Sequence, residues 1–336
     1  VAHGNARSGF YRVKLILAGI IFILGVYPWL GPPVYFISFA FNVLTYITLA
    51  TSWNIIGGYT GYLSFGHVAF FGIGAYATAV LGARLDLGPA LVILASLPAG
   101  LVSALVAVVI GYPCLRLRGP YFAVITLCFA FVTEITVRNL DFLGGADGLW
   151  IKGLAMPIET SRSIFFELML VLTVICVFSA HWIETSRFGA GLRAIREDEE
   201  VAQTMAINTP KLKIMAFAVS AFFPGIAGGI YACYLTYIHP DIVFDVNISI
   251  LIVLMALFGG GASWVGPLVG ATLLTFVNEG LSTFVKAEFA RIIYGCLFII
   301  VIIFMPNGIV EFLKNLIVKR RLRTKFVKNG PSNLLS

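Results

Sequence analysis

Charge is scarce in this 336-residue chain: only 12% of its residues are Asp, Glu, Lys or Arg, against roughly 25% in a typical soluble domain. No polar stretch of domain size separates its apolar runs, which excludes a soluble globular protein. The five cysteines (Cys114, Cys128, Cys176, Cys233, Cys296) are scattered without a CxxC pair, so they read as small buried hydrophobes rather than ligands or disulfides. Histidine is equally sparse. His3, His67, His181 and His239 share no ligand spacing and there is no HExxH, so no metal site is expected. No Gly-Lys dipeptide occurs, which removes any GxxxxGK[ST] loop for a nucleotide phosphate. Ser64 and His67 lack a third partner and a nucleophile elbow, so no catalytic residue is assigned. The net charge of +7 is no nucleic-acid signal, because much of it lies in one tail: Lys314, Lys319, Arg320, Arg321, Arg323, Lys325 and Lys328. A basic tail after a last span suits an anionic cytoplasmic leaflet.

What the chain has is hydrocarbon. Apolar residues make up 59% of it, in runs of bilayer-crossing length that recur from end to end. Reading runs against breakers gives about ten spans: 13–30, 34–56, 67–83, 89–111, 121–138, 164–183, 212–237, 248–264, 266–284 and 290–306. The first of these is expected to be a span rather than a cleaved export signal. Alternating the ten places both termini, 112–120 and 184–213 on one side, with 17 of the 23 Lys and Arg residues. The positive-inside rule makes that side cytoplasmic. The expected fold is an all-α polytopic membrane protein. It has a cytoplasmic segment at 1–12, a membrane domain at 13–306 and a basic cytoplasmic tail at 307–336.

One polar segment interrupts the oil. Between Glu184 and Lys213 stand Arg187, Arg193, Arg196, Glu197, Asp198, Glu199, Glu200 and Lys211, ten charges with the two ends included. Burying them in hydrocarbon would cost about 25–35 kcal/mol, so the segment lies in water between two spans. Leu192, Ile195, Ala202 and Met205 fall on one helical face. Arg193–Glu197 and Arg196–Glu200 are spaced as i,i+4 pairs, each worth roughly 0.3–0.5 kcal/mol. Thr209 and Pro210 read as N-cap and first residue of the next helix. One or two short helices with an apolar stripe need something to pack on, which marks a docking surface.

Two turns, 57–66 and 259–267, are glycine-rich and uncharged, so either could be re-entrant. Gly57/Gly61, Gly225/Gly229 and Gly266/Gly270 are GxxxG pairs suited to close helix packing. Among polar residues near membrane depth, Tyr62, Ser64, His67, Thr126, Glu134 and Glu279 are candidates for a translocation pathway. Blander readings stand beside them: an internally hydrogen-bonded His67, a local Glu134–Arg138 pair, and an interfacial Glu279 near Lys286.

Three blocks resemble one family. They are GYTGYLSFGHVAFFGIGAY (58–76), RLRGPYFAVITLCFAFVTEI with the later LGGADG (116–148), and SRFGAGLRAIREDEEVAQTMAINTPKLKIMAFAVSAFFPGIAGGIYA (186–232), extended by LFGGGASWVGPLVGA (257–271). Together they look like the LivM-type permease of branched-chain amino acid ATP-binding-cassette importers. The resemblance covers about 34–306, and its third block is the most specific. It implies a multi-pass protein of a bacterial inner membrane, with a second permease subunit, two ATP-binding subunits carrying ATP and Mg, and an extracytoplasmic solute-binding protein. No cofactor is implied on this chain. The resemblance also implies that Arg193, Ile195, Arg196, Glu197, Asp198, Glu199, Glu200, Ala202 and Met205 belong to a coupling helix seated on the ATPase. The family usually has Gln at Tyr62, Gly at Ala206 and Thr at Leu143; Ala206 reads as a mild change on a helix face. The solute stays open among branched-chain amino acids, urea, amides and other amino acids. A stand-alone secondary transporter or channel using Glu134 and Glu279 is the alternative.

Overall fold

The computed structural model describes residues 22–84 and 88–284, together with isolated positions 19, 289, 292, 293, 295, 296, 299 and 308–310. The first part of the span expected at 13–30, most of the span at 290–306 and most of the basic tail lie outside the described residues.

The helices are α1 (Val34–Thr60), α2 (His67–Arg84), α3 (Pro89–Leu94), α4 (Ser96–Cys114), α5 (Pro120–Asn139) and α6 (Ile158–Thr185). After these come α7 (Arg187–Glu197), α8 (Glu199–Thr204), α9 (Thr209–Leu235), α10 (Pro240–Val243), α11 (Val246–Gly259) and α12 (Val265–Phe284). Among the described residues, six helical stretches are long and apolar enough to cross a bilayer: Val34–Thr60, Pro89–Cys114, Pro120–Asn139, Ile158–Thr185, Thr209–Leu235 and Pro240–Gly259. Two further apolar helices, His67–Ala83 and Val265–Leu281, are shorter. Each follows one of the glycine-rich turns. The run expected at 89–111 is broken at Ala95, because Pro98 has no N–H for the Leu94 carbonyl.

α1 and α9 form the centre. α1 is buried on all sides for most of its length, as expected of a helix apolar around its whole circumference. α9 packs on α2 and α4 with backbone against backbone. A Cβ on Gly228 would lie 1.9 Å from the Phe71 carbonyl oxygen, and one on Gly74 would lie 1.9 Å from that of Gly225. Only hydrogen fits there.

The two ends differ in chemistry. At one end α5 and α9 lead into loops joined by the two-residue antiparallel ladder β1 (Leu149–Trp150) with β2 (Tyr237–Ile238), a small exception to an all-helical chain. His239 Nε2 meets the Ala146 carbonyl at 2.8 Å, and the Tyr237 hydroxyl donates to the Asp147 carbonyl at 2.9 Å. Arg138 bonds both Glu134 and Asp241. Trp150 and Phe142 remain exposed on this rim. The opposite end gathers 57–66, 114–119, 184–213 and 259–267.

Candidate functional site

The charged segment folds as two helices, each started by a side-chain cap. Ser186 Oγ accepts from the Gly189 amide at 3.2 Å and opens α7. Asp198 Oδ1 accepts from the amides of Glu200 and Val201 at 2.8 and 3.1 Å and opens α8. Such caps replace partners that the first turn lacks. Leu192, Ile195 and Ala202 are buried as the apolar stripe requires, but Met205 is 71% exposed. It follows the last residue of α8 and points outward. Ala206 does not lie on a helix face: its φ of 59° puts it in the left-handed region that stops the helix. That gives a physical reason for glycine at this position. The next helix is capped by Asn208, whose Oδ1 accepts from the Lys211 amide at 3.2 Å, rather than by Thr209.

The expected i,i+4 pairs are replaced by longer-range bonds. Asp198 is extended (φ −160°, ψ 115°), so Arg196 and Glu200 stand on different helices and lose that spacing. Arg196 Nη1 donates to the Gly58 carbonyl at 2.7 Å, and Arg193 Nη1 to the Glu184 carbonyl at 2.7 Å. Glu184 Oε2 accepts from the Trp264 amide at 2.6 Å and from the Tyr59 hydroxyl at 3.3 Å. Gly58 packs on the other glycine turn: a Cβ there would lie 2.2 Å from the Gly261 carbonyl oxygen. The segment therefore holds both turns.

Beneath α8 is a buried polar joint. Glu199 Oε1 meets Lys213 Nζ at 2.6 Å, with side chains 11% and 5% exposed. The Tyr62 hydroxyl donates to Glu199 Oε2 at 2.6 Å and accepts from Lys213 at 3.0 Å. Lys213 also donates to the Leu115 carbonyl at 2.9 Å. Arg118 approaches Glu199 Oε2 at 3.5 Å and bonds Glu200 Oε1 at 2.9 Å. Every strong donor and acceptor of the pair is thus matched, which is what allows it to be buried. Burial pushes the Glu199 carboxyl upward, but the hydrogen bonds from Lys213 and Tyr62 and the charges of Lys213 and Arg118 outweigh it and leave it below its usual range. Burial, followed by the hydrogen bond and charge of Glu199, raises the Tyr62 phenol. Sequence reasoning grouped Tyr62 with the pathway; the structure sets it in this joint. Lys213 was missed as an individual site. Its signal was a charge one residue inside an apolar run.

The other candidates separate into groups. Ser64, His67 and Thr126 converge where α2 begins. Thr126 Oγ1 accepts from the Phe65 amide at 3.1 Å, Ser64 Oγ lies 3.2 Å from His67 Nδ1, and Ser249 Oγ donates to the Phe65 carbonyl at 2.7 Å. His67 is fully buried, and its Nε2 has no hydrogen-bond partner among the described residues. Glu134 lies apart, bonded by Arg138 at 2.8 Å, and Glu279 accepts from Tyr35 at 2.6 Å; Lys286 is outside the described residues. Gly225 lies against Ser103 and Gly100, Gly229 against Thr78 and Ser96, Gly266 against Gly260 and Gly270 against Met255. Gly57 faces the ring of Trp53, while Gly61 (φ 76°) ends α1. Glu197, Asp198, Glu200 and Val201 are exposed around α8. Among the described residues no cluster of His, Cys, Asp or Glu is placed to hold a metal.

Residues 35–302 match the family described as the permease component of the branched-chain amino acid transport system. The chain belongs to this family. The permease is 29% identical to the high-affinity branched-chain amino acid transport system permease protein LivM of Salmonella typhimurium, over 90% of this chain and 76% of the relative. The LivM protein of Escherichia coli is 27% identical over the same shares. The Escherichia coli permease protein LivH is 26% identical over 82% of this chain and 95% of its own length. No solved structure matches the permease.

Proposed function

We propose that this chain is a membrane subunit of an ATP-driven importer for branched-chain amino acids or related small polar solutes. It works in a bacterial inner membrane with a second permease, two ATP-binding subunits and an extracytoplasmic binding protein. Helices α7 and α8 are the coupling element on the cytoplasmic side. The observation that carries this reading is the double character of that element. Its inner face is fastened to 58, 62, 184 and 213 by hydrogen bonds. Its outer face leaves Val201 and Met205 exposed, 53% and 71%, beside Glu197 and Glu200. An apolar pair ringed by charge has the composition of a docking patch. Nucleotide-driven motion of the partner is delivered there and passes into α1, α6, α9 and the two glycine turns. The opposite rim, tied together by β1 and β2, receives the loaded binding protein.

The stand-alone reading needs accessible carboxylates at membrane depth, whereas Glu134 is engaged by Arg138 and Glu279 by Tyr35. Uptake by the reconstituted complex separates the two readings. ATP-driven coupling requires block by vanadate and survival in an uncoupler; the reverse pattern overturns the proposal. Substituting the exposed residues as V201D/M205D should release the ATP-binding subunits while the permease stays folded, and normal uptake by that variant would count against the docking face.

A further inference from the structure

Where α6 hands over to α7 and α9 re-enters the bilayer, the surface carries a groove of about 540 Å³, lined by Arg187, Ala190, Gly191, Ile207, Asn208, Lys211, Leu212 and Met215. Its lining contains two cations and no carboxylate. Arg187 and Lys211 are both exposed, and neither makes an ion pair among the described residues. By contrast, Arg118 and Lys213 each meet a carboxylate nearby, and Arg193 and Arg196 each donate to a backbone carbonyl. The groove also straddles a boundary. Lys211 lies in the first turn of α9, and Met215, one turn further into that apolar helix, is 46% exposed. Trp182, in the last turn of α6, is 62% exposed, in the place where indole rings mark the headgroup level. An occupant must therefore offer negative charge to the pair at the top and hydrocarbon to Leu212 and Met215 below.

We propose that this groove binds an anionic phospholipid of the cytoplasmic leaflet. Its phosphate lies between Arg187 and Lys211 and an acyl chain runs along Met215. Basic pockets beside membrane helices on this side recognise such headgroups by charge. The inference rests on the cytoplasmic placement of this end but not on the coupling role of α7 and α8. A soluble phosphate supplies only the upper half of the match, and a protein surface would have to enter the bilayer to reach Met215.

The test is native mass spectrometry of the full-length chain, delipidated in neutral detergent and titrated with phosphatidylglycerol or phosphatidylcholine. Phosphatidylglycerol should be retained and phosphatidylcholine not. Each of Arg187→Gln and Lys211→Gln should lower retention about fivefold, and the pair about thirtyfold. The charge-preserving pair R187K/K211R should retain it. Arg116→Gln, which removes the same charge at the same end, should leave it unchanged. Equal retention of the two lipids, wild-type retention by R187Q/K211Q, or an equal loss in R116Q overturns the proposal. So does a double variant that keeps phosphatidylglycerol but loses the ATP-binding subunits, which would make the groove a protein-docking site. The readout is lipid mass rather than uptake, so a failed coupling model leaves it untouched.

Discussion

Arg196 reaches from α7 to the carbonyl of Gly58 at 2.7 Å, so the last turn of a water-exposed helix is fastened to the end of the largely buried helix α1. The bond spans sequence-distant segments and satisfies a carbonyl near the end of α1 that would otherwise lack a partner. The consequences of this fastening, and of the joint beside it, can be measured.

The Glu199–Lys213 pair should behave as a matched unit. Removing one member leaves a buried charge without its partner, at a cost of about 3–5 kcal/mol. Lys213→Met and Glu199→Met should each lower the unfolding free energy in detergent by an amount of that order. The double variant K213M/E199M should recover much of the loss. Strictly additive single and double effects would show that the two side chains act independently.

The same pair sets a pH dependence. Folding holds the Glu199 carboxyl below its ordinary value of 4.5, so between the two values the unfolded chain binds more protons than the folded one. Stability therefore rises with pH in that window. The contribution is complete above the unfolded value and disappears as pH falls through the folded one. Unfolding midpoints measured from pH 7 down to pH 3 should drop more steeply for the wild type than for E199Q, where no proton is taken up at this site.

Ala206 is in a backbone conformation that suits glycine, with φ at 59°. Left-handed backbone costs a residue with a Cβ roughly 1–2 kcal/mol, while glycine gives back part of this through its freer unfolded chain. Ala206→Gly should stabilise the protein by about 0.5–1 kcal/mol, read as a higher midpoint in a denaturant titration. Destabilisation would show that the methyl group makes contacts worth more than the strain.

Two glycines in helices should respond in opposite ways to the same added methyl. At Gly228 the new carbon would lie 1.9 Å from the Phe71 carbonyl oxygen, while at Gly280 nothing among the described residues lies within 4 Å. Gly228→Ala should cost about 1–3 kcal/mol or more by forcing α9 from α2. Gly280→Ala should be stabilising by about 0.4–1 kcal/mol. Fluorescence-detected gel filtration after graded heating compares the two directly.

Much of the membrane architecture was legible because span length and charge are crude, additive signals. Eight of the ten apolar runs coincide with helices or a broken helix among the described residues. Of the site, the apolar residues Leu192, Ile195 and Ala202 could be read from spacing alone, since periodicity reports burial directly. Partner choice could not. Arg196 bonds a carbonyl rather than Glu200 because Asp198 breaks the helix between them, and a local i,i+4 rule assumes continuity. Tyr62 joins Glu199, and Lys213 reaches Leu115, across separations that only the folded chain closes. Ala206 was misread because a helix pattern shows where the stripe runs but not where the backbone changes hand.

The close approach of Gly58 to the Gly261 carbonyl has one more implication. Two chain reversals that touch through glycine main chain, with the buried Asn54 carboxamide wedged beside them and bonded to the Ser263 carbonyl, have little room to slide, so the contact is stiff. A tug arriving through one guanidinium should thus be passed across it without slack, because neither glycine has a side chain that could yield.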